Sequence, residues 1–186
     1  MGKSKNKIPN DWEKYTNVGD AIPNSPFICF KCPLQENFTS RLFPDKVFGV
    51  RELLGILESK NVKIGLVIDL TNTDRYYNSE ELQSEGILYS KVKCSGYDEP
   101  DDEVYTRFEN VVLNYLDDHE PKEKTDLIGV HCTHGVNRTG YLVCRYLHSQ
   151  LKWPMDAAIE AFAKARGHPM EKYTDLLKNV ASSDTT

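Results

Sequence analysis

Chemistry in this 186-residue chain concentrates in the run Gly129-Val-His-Cys-Thr-His-Gly-Val-Asn-Arg-Thr-Gly140. Cys132 follows the apolar run Leu127–Val130, and five residues separate it from Arg138. An apolar, helix-like stretch, Tyr141–Leu151, comes next. This order predicts a strand that delivers a cysteine into a tight loop opening a helix. The N–H groups of such a loop, with the positive end of the helix, form a concave anion site. The same field favours the thiolate, which is the nucleophilic form of cysteine. Gly135 supplies backbone freedom within the loop. Arg138 can fork two donors onto phosphate oxygens, a geometry that lysine lacks. A cysteine nucleophile beside a phosphate cradle implies covalent phosphoryl transfer.

The loop's neighbours divide into supporting and substrate-facing candidates. His131 is expected to orient the loop or tune the thiolate. Thr139 can place a hydroxyl near the sulfur, and His134 adds a polar contact within or above the cradle. The phosphate loop itself would run Thr133, His134, Gly135, Val136, Asn137 and Arg138. Asp69 ends the continuous apolar run Ile64–Leu70, so its carboxylate belongs at the carboxyl edge of a central sheet, as a site residue or a strand-end cap. Arg75, on the loop leaving that edge, and Lys31, near the end of an earlier strand, are candidates for distal phosphates.

The elements that must position these residues are legible as periodic patterns. Phe27–Lys31, Ile64–Leu70, Ile87–Cys94 and Leu127–His131 read as strands. Val50, Leu53, Leu54 and Leu57 recur at helical spacing, as do Val104, Phe108, Val111, Val112, Tyr115 and Leu116. Pro154 suits a helix start, Gly167 its end, and Tyr173, Leu176, Leu177 and Val180 outline a last helix. Strands alternating with helices predict a single α/β domain with a mainly parallel central sheet flanked by helices. Its expected extent is residues 12–180, between flexible tails at 1–11 and 181–186.

Composition bounds the function. The net charge is −5, so the surface as a whole does not attract nucleic acid, although a site gripping one phosphorylated end is compatible with it. Lys3, Lys5 and Lys7 make a short basic tail, read as solvated. No apolar run reaches membrane-spanning length, and no signal-peptide core opens the chain. Asn6 breaks the myristoylation pattern begun by Met1-Gly2. Five cysteines, an odd number, favour a reducing compartment. Cys29-Phe-Lys-Cys32 has no second pair, so no metal site and no cofactor is expected.

The loop resembles that of the cysteine-dependent phosphatase superfamily. Together with Ile68-Asp-Leu-Thr-Asn-Thr-Asp-Arg-Tyr-Tyr77, Phe27-Ile-Cys-Phe-Lys-Cys-Pro-Leu34 and Ala165-Arg-Gly-His168, it is similar to the RNA 5′-triphosphatase branch, across roughly residues 8–178. Within that branch the likeness is to the stand-alone, RNA/RNP-complex-interacting type. A guanylyltransferase domain of the capping type is not expected, nor is an Arg/Ser-rich extension. The resemblance implies Cys132 as phosphocysteine nucleophile, Thr133–Arg138 as phosphate loop and Asp69 as an important acid nearby. It also implies 5′-triphosphorylated or diphosphorylated RNA as substrate, ribonucleoprotein complexes as partners, and an intracellular, nuclear or cytoplasmic setting.

Tyrosine and dual-specificity phosphatases carry an aspartic general acid about thirty residues before the cysteine. Asp98, Asp101 and Asp102 occupy that stretch, and the sequence does not choose among them; Asp101 and Asp102 also suit a helix start. Trp153-Pro154-Met155-Asp156 follows the cysteine and reads as a helix start, not an acid loop. A diphosphate leaving group is already a stable anion, so the acid's typical contribution, about 10²–10⁴-fold, is largely dispensable in triphosphate cleavage. The rival readings are a dual-specificity protein phosphatase, a capping-type triphosphatase that stops at the diphosphate, and an inactive binding module; intact Cys132 and Arg138 oppose the last.

Overall fold

A computed structural model of the chain describes residues 7–40, 42–119 and 126–183. Lys3 and Lys5 of the basic tail lie outside the described residues. Five strands form one sheet in the order β1-β2-β5-β3-β4, comprising β1 (Val18–Ala21), β2 (Phe27–Lys31), β3 (Ile64–Asp69), β4 (Leu88–Lys91) and β5 (Leu127–Cys132). β1 and β2 pair antiparallel; the remaining pairs are parallel. The edge strand β1 is the one sheet element that the sequence patterns did not reveal. It has four residues and no alternation of apolar and polar positions, too little for a periodicity argument.

β5 is central because both of its faces are buried. Ile128, Val130 and Cys132 point into one core half, with Phe108 and Val112 of α4 (Asp102–Asp118), Leu142 and Tyr146 of α5 (Asn137–Ser149), Phe162 of α6 (Met155–Arg166) and Leu177 of α7 (Thr174–Ser183). The opposite face carries Ile28, Phe30 and Val67, under Leu53 and Leu57 of α2 (Val50–Ser59), Phe38 of the short α1 (Glu36–Thr39) and Leu82 of the short α3 (Glu80–Gln83). Cys29 and Cys32 of the CxxC run fall in different halves of the core, as a two-residue side-chain period requires of positions three apart. No helix among the described residues is long and apolar enough to cross a membrane.

The inner part of each stretch expected to be a tail is structured. α7 runs on to Ser183, so 181–183 are helical, not loose, because Leu177 anchors an amphipathic helix on α5 and α6. Ile8 packs against the α2 side of the core, and Trp12 is fully buried. Its indole N–H donates to the Cys32 carbonyl at 2.9 Å. Residues 1–6 and 184–186 lie outside the described residues.

Phe108 is the pivot between α4 and the sheet, stacked on Phe27 at 6.1 Å and edge-on to Tyr146 at 6.4 Å. Phe108→Ala is expected to cost about 3–5 kcal/mol and to lower the melting temperature by roughly 6–20 °C, as a calorimetric scan will show.

Candidate active site

Parallel pairing places the carboxyl ends of β2, β3 and β5 side by side, with Lys31 in register with Cys132 and Asp69 with His131. Cys132 ends β5, Thr133–Val136 make the turn, and α5 starts at Asn137. The turn is tight. Gly135 has φ +68°, and a Cβ there would overlap the Phe30 carbonyl, so no side chain fits.

Cys132 is buried. Burial alone pushes its thiol up, but the Arg138 guanidinium, the Thr139 hydroxyl and N–H, and the Val136 N–H outweigh it and hold the group below the usual thiol range. The Thr139 hydroxyl is itself buried with no hydrogen-bond partner among the described residues, which leaves it free to support the ionised sulfur. Arg138 spans the site, donating from Nη1 to the Cys94 carbonyl at 2.9 Å and from Nη2 to Thr133 Oγ1 at 2.9 Å. An ionised sulfur among these donors can attack an electrophilic phosphorus.

The cleft above Cys132 measures about 780 Å³. It is lined by Asn10, Asp11 and Tyr15, by Thr71–Thr73, Arg75 and Tyr76, by Gly96 and Tyr97, and by Glu171, Lys172 and Tyr173. His134 lines it too, with Nε2 donating to the Asn10 carbonyl at 2.8 Å and its ring stacked on Tyr15 at 4.9 Å. Burial holds this imidazole below its usual range, hence neutral. The Asn137 carbonyl oxygen accepts from the Glu171 and Lys172 N–H groups at 2.9 and 3.0 Å, so this side chain fastens the cleft rim.

Arg75 is exposed on the cleft wall, its guanidinium 5.1 Å from the Tyr76 ring centre. Lys31, the other cation expected to meet distal phosphates, does not line the cleft. Its ammonium lies 3.6 Å from the Trp12 ring centre and donates to the Trp12 and Tyr15 carbonyls at 3.2 and 3.0 Å. Burial pulls it down to about 8. The side chain anchors the N-terminal turn instead.

Asp69 and His131 work beneath the loop, on the face of β5 away from Cys132. The Tyr77 hydroxyl meets His131 Nε2 at 2.8 Å. Burial holds His131 low despite the nearby Asp69 charge, so the ring is neutral at neutral pH. Burial would raise Asp69; Lys91 and the Thr71 hydrogen bonds overcome this and keep it a carboxylate. With the imidazole neutral, Lys91 is the partner cation, at 2.9 Å, and the Tyr89 hydroxyl and Thr71 N–H donate at 3.0 and 2.7 Å. Asp69 is therefore neither an isolated strand-end cap nor a cleft residue.

None of the three general-acid candidates lines the cleft. Asp98 accepts from the Ser95 hydroxyl at 2.8 Å, Asp101 caps α4 by accepting the Val104 N–H at 2.8 Å, and Asp102 pairs with Arg145 at 2.6 Å. The carboxylates that do line it, Asp11 and Glu171, are engaged by Lys14 and by the Tyr15 hydroxyl. Sequence patterns missed Lys172 and the Tyr15 wall, which carry no spacing signal, and Lys91, a charge inside a half-buried strand that could have been noticed. Arg166, donating to the Gly135 and His134 carbonyls at 3.0 and 2.9 Å, entered only as part of a matching segment.

The dual specificity phosphatase catalytic domain matches residues 50–180. The chain belongs to that family and is a phosphatase of the cysteine-dependent class. It is 45% identical over 179 residues to the bovine RNA/RNP complex-1-interacting phosphatase, covering 95% of this chain and 53% of that protein. It is 38% identical to a tyrosine-protein phosphatase of Autographa californica nuclear polyhedrosis virus, over 89% of this chain and 94% of the viral one. With the zebrafish mRNA-capping enzyme it shares 37% identity, over 95% of this chain and 29% of the enzyme. The chain spans about half the length of the mammalian RNA/RNP complex-1-interacting relatives it matches. Among solved structures, human DUSP28 superposes with a TM-score of 0.59 at 10% identity, covering 92% of this chain and 97% of its own, which shows the shared fold.

Because Thr139 supplies one of the donors that lower the Cys132 thiol, Thr139→Val is expected to shift the midpoint of Cys132 alkylation by iodoacetamide to higher pH. Only the thiolate reacts, so alkylation at neutral pH becomes slower. An unchanged rate–pH profile would show that this hydroxyl does not act on the sulfur.

Proposed function

We propose that this phosphatase acts on the 5′ end of RNA, removing the γ- and then the β-phosphate through a phosphocysteine. The observation that carries the reading is the placement of the acid-loop aspartates. Where a protein phosphatase needs a proton donor for a basic leaving oxygen, the cleft presents Gly96 and Tyr97, while Asp98, Asp101 and Asp102 bond elsewhere. A phosphoanhydride leaves as a stable anion and needs no such donor. The likeness to proteins named for RNA/RNP complexes and for mRNA capping supports the same substrate class. Association with a ribonucleoprotein rests on that first name alone.

In this mechanism the Cys132 sulfur attacks the γ-phosphorus in line with the bond to the bridging oxygen, which breaks and releases diphosphate-ended RNA. Arg138 and the Thr133–Arg138 N–H groups follow the charge on the equatorial oxygens. Arg75 and Lys172 line the cleft where the remaining phosphates would lie. Water then attacks the phosphocysteine, its oxygen bonds to phosphorus as the S–P bond breaks, its protons stay with the departing inorganic phosphate or pass to solvent, and Thr139 receives the thiolate. The RNA end then advances by one phosphate and the cycle repeats at the β-phosphorus. The charge is met by side chains and backbone, so the step needs no divalent ion.

On 5′-triphosphorylated RNA in the presence of EDTA, diphosphate ends are expected first and monophosphate ends to accumulate, with no release by Cys132→Ser. Thin-layer analysis over time checks this. A stable diphosphate end product would indicate a capping-type enzyme, and faster release from phosphotyrosine peptide a protein phosphatase.

Replacing Asp98, Asp101 or Asp102 singly by Asn is expected to leave triphosphatase turnover within about tenfold, below a typical general-acid effect. Asp69→Asn, which unbalances Lys91 beneath the loop, should lower it further. A thousandfold loss at one of the three loop aspartates would restore a proton-donating mechanism.

A further inference from the structure

Arg166, the last residue of α6, is 1% exposed, directly behind the phosphate loop. Its Nε donates to the Gly135 carbonyl at 3.0 Å and its Nη2 to the His134 carbonyl at 2.9 Å. The remaining donors reach Thr16, Nη1 to the hydroxyl at 2.6 Å and Nη2 to the carbonyl at 2.8 Å. Every one of these acceptors is neutral. No ion pair among the described residues includes Arg166. A buried guanidinium without a counter-charge is costly unless some anion answers it.

The groups facing it narrow the choice. Burial pushes Cys29 up to about 12, and burial together with Glu171 does the same for Tyr15, so both are neutral at pH 7. Burial holds His134 and His168 low, and the ammonium of Lys31 has the same sign as Arg166. Cys132 is the remaining ionisable group, and it is the one whose thiolate is favoured. The fork geometry adds a second effect. Holding two successive loop carbonyls backward turns the intervening peptide so that its N–H faces the cleft.

We propose that Arg166 is a positioning residue of the phosphate loop, which holds the His134 and Gly135 carbonyls outward and whose charge is balanced by the anion in the cradle, thiolate or bound phosphate. Arg138 meets the anion from the cleft side, and Arg166 meets it from behind through the loop. Phosphate binding and loop rigidity are then coupled, since an occupied cradle relieves the buried charge. This role does not depend on which phosphate ester is the substrate, so its test is separate from the RNA reading.

The test compares Arg166→Met, which keeps length but loses charge and donors, with Arg166→Lys, which keeps charge and loses the fork. The readouts are the pH profile of Cys132 alkylation, protection from it by inorganic phosphate, and the melting temperature with and without phosphate, with Cys132→Ser as background. In Arg166→Met the alkylation midpoint is expected to move to higher pH, and phosphate protection to weaken by about tenfold or more, the scale of a lost charge-assisted contact. In Arg166→Lys the midpoint should stay near wild type while phosphate protection weakens. Phosphate should raise the melting temperature less in both variants than in wild type. Wild-type midpoint and protection in either variant, whatever its melting temperature, would overturn the proposal and leave Arg166 as a strap between α6 and β1. Should Arg166→Met fail to fold, unweakened phosphate protection in Arg166→Lys overturns it alone.

Discussion

A negative sulfur buried at the end of the central strand is the constraint around which the rest of this molecule is arranged. Cys132 has almost no contact with solvent, so its thiolate exists only if fixed donors replace water. The chain supplies them from one short stretch, because a turn leading into a helix presents several N–H groups to one point. That turn must be tight enough to press Gly135 against the Phe30 carbonyl. It must also be held from behind, which fixes where α6 ends, and from the cleft side, which fixes where Arg138 lies. The sheet order follows the same need, since β5 flanked by β2 and β3 has no freedom to shift register.

The two faces of β5 divide the labour. On the α4–α7 side the cysteine meets the substrate cleft. On the other side His131, Tyr77, Asp69, Tyr89 and Lys91 form a connected polar layer inside the core. A buried ion pair such as Asp69–Lys91 is weak evidence for stability, because desolvation offsets most of its attraction. Its value here is orientation. Burial keeps the imidazole neutral despite the Asp69 charge, so that no second positive charge sits against the strand that carries the thiolate.

Much of this was legible in the sequence, and the exceptions have physical reasons. The central strands and α2, α4, α6 and α7 were readable because each buries one face or both, which imposes a period. The edge strand β1 was not, since four residues carry too little of one. The cysteine, arginine and threonine of the loop declared themselves because covalent chemistry on phosphate demands those types at that spacing. Lys31 misled because a cation near a strand end looks the same whether it meets a ligand or, as here, two carbonyls and an indole ring. The three aspartates were indistinguishable in sequence, since a cap, an ion-pair partner and a proton donor use the same side chain. Arg166 lay beyond local reasoning, as its partners are far away in the chain.

That distance has a consequence for how the molecule comes into being. Thr16 and Arg166 are joined across 150 positions, and Tyr15 is joined to Glu171 across 156. Closing loops of that size carries an entropic penalty that contacts within one helix do not, and topologies rich in such contacts fold slowly. On a ribosome the nucleophile and its arginine emerge well before the segment that steadies them. Until those distant contacts close, the sulfur lacks the donors that activate it, so the chemistry of Cys132 waits on residues made after it.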